Sequence, residues 1–288
     1  MPMAAVNGIR LHYQQVGKGP DLVMVHGLAA NMAFWYLKVV PELASHFRVT
    51  VYDLRGHGRS DLAPSGYDVG SMGVDLSMLL EQVGIERAHL VGHSFGGAVA
   101  LGYALDHPES VETLTLADAT VYALQPIDTG QDWAYWDAWR QQLAGLGIEV
   151  PARMPKVAYG LLEELADPRW QDARQRNTSS EFFVPFGLWN GARKAAERWL
   201  TLLRTTNAWR EFQAPDSISL ARLREFRRPV LLIYGARSRW LPTCQTLAET
   251  LPDRSVLVLP DVGHFHPLLR PQEFVKGVRA HLNRGIRI

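Results

Sequence analysis

The sequence predicts an α/β protein with a mainly parallel sheet, and three observations carry that prediction. Short, continuously apolar runs such as "DLVMV" (21–25) and "PVLLIYGA" (229–236) have the composition of strands covered on both faces. Segments of helical spacing separate these runs, so strand alternates with helix and helices should cover both faces of the sheet. One long stretch, residues 120–222, breaks the alternation and carries no strand signal.

Residues 9–16, "IRLHYQQV", alternate polar and apolar side chains and suit an edge or hairpin strand. After the strand at 21–25, "MAFWYLKVVPELASH" has helical spacing, and "FRVTVYD" (47–53) is the next strand. "VDLSMLLEQVG" (74–84) reads as a helix stopped by Gly84. "AHLVGHS" (88–94) is a strand leading into the helix "FGGAVALGYALDHPES", which should end before Pro108. Further strands follow at 111–119, 229–236 and 255–264, with helices at 241–251 and 271–283. Residues 120–222 hold helical pieces near 131–145 and 192–212, so they read as a helical cap on a core made of 1–119 and 223–288.

Composition narrows the function. A hydrophobic content of 47% over 288 residues supplies a large core, and a formal net charge of +1 gives no footprint for nucleic acid. Cys244 is the single cysteine, so no intrachain disulfide is expected. The N-terminus has no signal-peptide layout and no apolar run is long enough to span a membrane, which predicts a cytoplasmic protein. No metal or cofactor motif is evident.

Chemistry concentrates at "GHSFG". Gly92-His93-Ser94-Phe95-Gly96 stands between a strand and a helix, where an abrupt bend lifts a serine hydroxyl above the sheet edge. Ser94 is the candidate nucleophile. Acyl transfer also needs two backbone N–H groups aimed at the developing oxyanion. Phe95, just after the nucleophile, and Leu28, just after His26-Gly27 at the end of an early strand, are the candidates. Among ten histidines, His264 follows the last strand and faces the same sheet edge as Ser94. His266 is its rival, while His93 should point away. In the strand-free stretch, Trp133, Trp136 and Trp139 recur at helical spacing, and Trp189 adds to the aromatic content. With His26 they are candidates for the wall of an apolar substrate pocket.

With His26-Gly27, "YDLRGHGRSD" (52–61), "GHSFGG" (92–97) and "GHFHP" (263–267) in this order, the chain resembles the α/β-hydrolases. The resemblance implies a mostly parallel eight-stranded sheet with a helical cap after strand 6, a Ser-His-acid triad and no cofactor. It also implies an acid in the turn after strand 7. Here that turn is "YGARSRW" and carries Ser238 between Arg237 and Arg239, which cannot compensate an imidazolium. Some members, certain polyketide-type thioesterases among them, carry the acid after strand 6. Asp118 stands there in this chain, and Asp261 is the other carboxylate close to His264 in sequence.

The expected activity is hydrolysis of an ester or thioester of a hydrophobic acyl group, free or carrier-bound, by Ser94, His264 and Asp118 in a monomer or homodimer. A C–C bond hydrolase would use the same residues. A cofactor-independent oxygenase would need only a His-Asp dyad, and a ligand-binding pseudoenzyme would form no acyl-enzyme.

Overall fold

In a computed structural model of the chain, residues 2–124, 133–150, 158–175, 185–186 and 192–285 are described. Eight strands form one sheet: β1 (Met3–Val6), β2 (Ile9–Val16), β3 (Asp21–Val25), β4 (Arg48–Tyr52), β5 (Ala88–His93), β6 (Val111–Ala117), β7 (Val230–Gly235) and β8 (Arg254–Leu259). Their spatial order is β1-β2-β4-β3-β5-β6-β7-β8. The β1–β2 and β2–β4 pairs are antiparallel and every later pair is parallel. The C-terminal ends of β3, β5, β6, β7 and β8 therefore share one edge, where ligands of open α/β sheets collect.

The central strands are buried along their whole length, as continuous apolar runs require. Alternate side chains enter two separate cores. Val23, Val25 and Leu90 join one core, while Leu22, Met24 and Val91 join the core on the opposite face. Helix Phe95–Asp106 is buried almost all round, from Phe95 to Ala104. Its small residues let it lie close to the sheet. A Cβ on Gly96 would stand 2.2 Å from the His26 carbonyl oxygen, and one on Gly92 would stand 2.4 Å from the Gly96 carbonyl oxygen.

Several boundaries differ from the sequence expectation. β1 was not expected, and it exists because "MAAV" pairs with β2 from Met3↔His12 to Val6↔Ile9. Helix Val69–Gln82 begins before residue 74, because the Asp68 side chain caps it by accepting the Ser71 N–H at 2.9 Å. β6 stops at Ala117, since Asp118 turns to φ 48°. β8 stops at Leu259, before Pro260 and Asp261 at φ 53°. Between β6 and β7 the described helices are Trp136–Gly145, Ala158–Ala166, Gln171–Gln175, Ala192–Thr205, Ala208–Glu211 and Leu220–Glu225, with short 3-10 turns and no described strand. No described helix is long and apolar enough to cross a membrane.

Candidate active site

Ser94 sits at the turn from β5 into helix Phe95–Asp106 with φ 56° and ψ −129°, a strained conformation for a residue with a Cβ. The surroundings hold that strain in place. The Ser94 N–H donates to the Ala117 carbonyl at 3.1 Å, and the Ser94 carbonyl accepts from Gly97 and Thr120 at 2.9 and 3.1 Å.

The His264 Nε2 lies 3.0 Å from the Ser94 Oγ, and its Nδ1 lies 2.9 Å from Asp118 Oδ1. An ionised carboxylate can only accept, so Nδ1 carries the proton and Nε2 is left to accept from the Ser94 hydroxyl. Asp118 is fully buried and its carboxylate is well provided with donors. Oδ2 accepts the Gly235 N–H at 3.0 Å, and Oδ1 accepts the Ser238 hydroxyl as well as His264. Burial alone would push the Asp118 carboxyl up. The hydrogen bond and charge of His264 and the Ser238 hydroxyl outweigh it and hold the group below its ordinary value.

Ser238, which cannot itself compensate an imidazolium, is a direct partner of Asp118. Its oxygen also accepts the Trp240 N–H at 3.1 Å, which fixes the turn after β7. Asp261, the other candidate acid, lies outside this network. It is largely exposed and pairs with Arg237 at 3.1 Å.

His266 is buried, donates Nε2–H to the Ile233 carbonyl at 3.1 Å and is pushed down to about 4 by burial, against the charge of Asp118. His93 does not point away from the site as expected. Its ring lies 4.7 Å from that of His264 and stacks on Phe34 at 4.5 Å. Its Nε2–H donates to the His264 carbonyl at 2.9 Å, so it props the segment that carries the candidate base. Burial, followed by the charge of His264, keeps His93 neutral by lowering it well below its ordinary value.

Ser94, His264, Leu28 and Phe95 line one cavity of about 150 Å³. Phe95 opens its helix, so its N–H has no acceptor within that helix. A Cβ on Gly27 would stand 2.7 Å from the Ser94 Cβ, so glycine is needed for the turn after β3 to pass this close. His26, a candidate for the pocket wall, is instead fully buried behind that turn. Its Nδ1–H donates to the Gly27 carbonyl at 2.7 Å and its Nε2 accepts the Leu54 N–H at 3.0 Å. The "YDLRGHGRSD" segment (52–61) braces the same region. Asp53 accepts the Met32 N–H at 2.8 Å and pairs with His12 at 2.8 Å.

Trp133 and Trp139 line the cavity with Phe34, Leu161, Leu165 and Trp240. Trp136 does not. It is buried against Trp139, with ring centroids 5.8 Å apart, and does not reach the cavity. Trp189 lies outside the described residues. Among the described residues, no cluster of three or more His, Cys, Asp or Glu could hold a metal ion. Cys244 is buried, and burial with the charge of Asp118 pushes its thiol up to about 12.

Comparison with known proteins agrees with this architecture. The family model of the alpha/beta hydrolase fold matches residues 20–271. The chain is 31% identical over 270 residues to a pimeloyl-[acyl-carrier protein] methyl ester esterase of Aeromonas hydrophila subsp. hydrophila, covering 91% of this chain and 95% of that one. It is 26% identical over 281 residues to the dihydrolipoyllysine-residue acetyltransferase component of an acetoin cleaving system from Cupriavidus necator, covering 97% of this chain and 68% of the relative. Two other curated relatives are matched over only 40% and 48% of their own length. Among solved structures, the N-acyl homoserine lactone degrading enzyme Est816 superposes with a TM-score of 0.64 at 26% identity, covering 97% of this chain and 99% of that one. The chain belongs to the alpha/beta hydrolase superfamily and is a hydrolase.

Proposed function

We propose that the protein is a serine hydrolase that cleaves an ester or thioester with a hydrophobic acyl part through an acyl-enzyme. The observation that carries this proposal is the continuous chain from Ser94 Oγ to His264 Nε2 at 3.0 Å and from His264 Nδ1 to Asp118 at 2.9 Å. Ser94 attacks the carbonyl carbon while His264 takes its proton. The tetrahedral oxyanion is held by the N–H groups of Leu28 and Phe95. His264 then returns the proton to the leaving alcohol or thiol. Water, deprotonated by the same imidazole, releases the acid from Ser94. Asp118 keeps the imidazole in the required tautomer and stabilises it when charged.

The core of 1–119 and 223–288 carries these groups, and residues 120–222 act as a cap that supplies the aromatic wall. An apolar cavity with a few convergent polar groups suits an acyl chain better than a sugar or a peptide. The similarity to an esterase named for an acyl-carrier-protein ester extends the candidate substrates to carrier-bound acyl groups.

A fluorophosphonate should give a single covalent adduct on the peptide containing Ser94, read by intact-protein and peptide mass spectrometry. Ser94→Ala should abolish both the adduct and turnover of p-nitrophenyl esters while the circular dichroism spectrum stays unchanged. An adduct on Cys244, or ester turnover that survives Ser94→Ala, would refute the assignment.

A further inference from the structure

The turn after β7 holds two arginines on either side of Ser238, and the structure gives them opposite fates. Arg237 is committed to other groups. It pairs with Asp261 at 3.1 Å and lies under the Tyr135 ring, with its guanidinium carbon 5.7 Å from the ring centroid. Arg239 is half-buried and lines the same cavity as Ser94 and His264. Its guanidinium carbon stands 4.6 Å from the centre of the Trp240 ring, and that ring lies 6.2 Å from the His264 imidazole.

Among the described residues, no acidic side chain pairs with Arg239. Asp118, on the far side of Ser238, is committed to His264, Ser238 and the Gly235 N–H. Burial pulls the Arg239 guanidinium down to about 10. A guanidinium remains charged at neutral pH all the same. A cation partly withdrawn from water without a counter-charge is less favourable than a solvated one unless something else supplies the anion. The rest of the cavity wall is mostly apolar, so the natural source of that anion is the ligand.

We propose that Arg239 is the anion anchor of the catalytic cavity, and that the substrate is an ester or thioester carrying a free carboxylate on an apolar body. The assignment rests on Ser94 being the nucleophile of this cavity. The guanidinium offers a planar fork that a carboxylate can meet with two hydrogen bonds. The Ser238 bonds to Asp118 and Trp240 fix the backbone on both sides of Ser238, so the anchor and the base are held in one register. The carboxylate can belong to the acyl half or to the alcohol half of the ester, and the two are separable by experiment.

Monomethyl esters of the dicarboxylic acids from succinate to suberate test the acyl half, each against the methyl ester of the matching neutral acid. Carboxymethyl esters of neutral acids, against their ethyl esters, test the alcohol half. In the wild type, kcat/KM should favour the anionic ester in one of the two sets. In Arg239→Gln that ratio should fall about 10- to 100-fold, mainly through KM, as expected for losing a hydrogen-bonded charge pair. Arg239→Lys should restore part of it. A wild-type ratio at or below one in both sets, or the same ratio in Arg239→Gln, would overturn the anchor. Calorimetric binding of the same esters to Ser94→Ala separates this from failure of the hydrolase proposal. Suppose the wild type cleaves none of them, yet Ser94→Ala binds the anionic esters and loses that affinity with Arg239→Gln. The anchor then stands and ester hydrolysis falls. Absence of binding in that case overturns the anchor as well.

Discussion

At the scale of single residues, the question is how Asp118, at the tip of one strand, reaches His264, for which the family resemblance implies an acid on the next. β6 and β7 are adjacent and parallel, in register at Ala117↔Ile233, so their tips lie side by side. Asp118 then turns at φ 48° and donates its N–H to the Ile233 carbonyl at 2.9 Å, which brings its side chain over the end of β7. Ser238 stands where the resemblance implied an acid and donates to that carboxylate. Asp118→Asn should lower kcat by up to about 10⁴, because the amide can no longer hold the tautomer or offset the charge on His264. Ser238→Ala removes a hydrogen bond to a charged group, and such bonds contribute about 1.5–3 kcal/mol. It should lower kcat by about tenfold or more with little change in KM, and Ser238→Thr should recover most of it. Stopped assays on one p-nitrophenyl ester read both variants. A wild-type kcat in Ser238→Ala would mean that the bond is incidental to turnover. The approach of Asp118 to His264 was legible in the sequence because Asp118 stands at a strand tip next to the turn that lacks an acid. The part played by Ser238 was not, because a hydroxyl bond depends on where the neighbouring turn places it.

At the scale of elements, β3 to β7 were legible because strands buried on both faces are mostly apolar, with small or paired polar residues such as Thr113 and His89 between the aliphatic ones. β1 was not, because four residues, two of them alanine, carry no periodic signal until β2 pairs with them. Among the described residues of 120–222 there is no strand, as the sequence led one to expect, but which tryptophan faces the cavity depends on how the helices there dock. Trp139 lines the cavity, Trp136 packs against it, and the Trp133 indole N–H donates to the Arg237 carbonyl at 2.9 Å, tying the insertion to the turn after β7. These placements predict a difference between two neighbouring substitutions. Trp139→Ala should shift the acyl-length optimum toward longer chains in a p-nitrophenyl ester series, because it enlarges the cavity. Trp136→Ala should leave that optimum in place and lower the melting temperature, since truncating a buried tryptophan removes about 3–5 kcal/mol of packing. The same length profile in Trp139→Ala as in the wild type would show that this face only packs.

For the whole molecule, the buried histidines set how it responds to acid. Burial is the leading cause that lowers His57 to about 3, His89 and His266 to about 4, His93 well below its ordinary value, and His26 as well. Each is neutral where it is folded. In the unfolded chain each takes up a proton near its ordinary value of about 6.5. A depressed folded value means that the unfolded state binds more protons, so the stability is present above about pH 6.5 and is lost as pH falls toward the folded values. Around pH 5, His57, His89 and His266 alone would be protonated in the unfolded chain and neutral in the folded one. Three protons correspond to a slope of about 4 kcal/mol per pH unit. Asp118 adds a loss in the same direction at lower pH, as protonation reaches its depressed folded value. A domain with a typical stability of about 5–15 kcal/mol would exhaust that reserve within a few pH units. Calorimetric melting between pH 7.5 and 4.5 should therefore show a temperature that falls steeply below pH 6, with protons taken up on unfolding when buffers of different ionisation enthalpy are compared. His89 offers the sharper test, because it stands in β5 away from the cavity, bonded to Thr113 at 2.9 Å. His89→Gln keeps a polar partner for Thr113 and should reduce the proton uptake at pH 5 by about one, whatever it does to the melting temperature at neutral pH. A melting temperature that stays level from pH 7 to pH 5 would mean that the histidines are protonated within the fold.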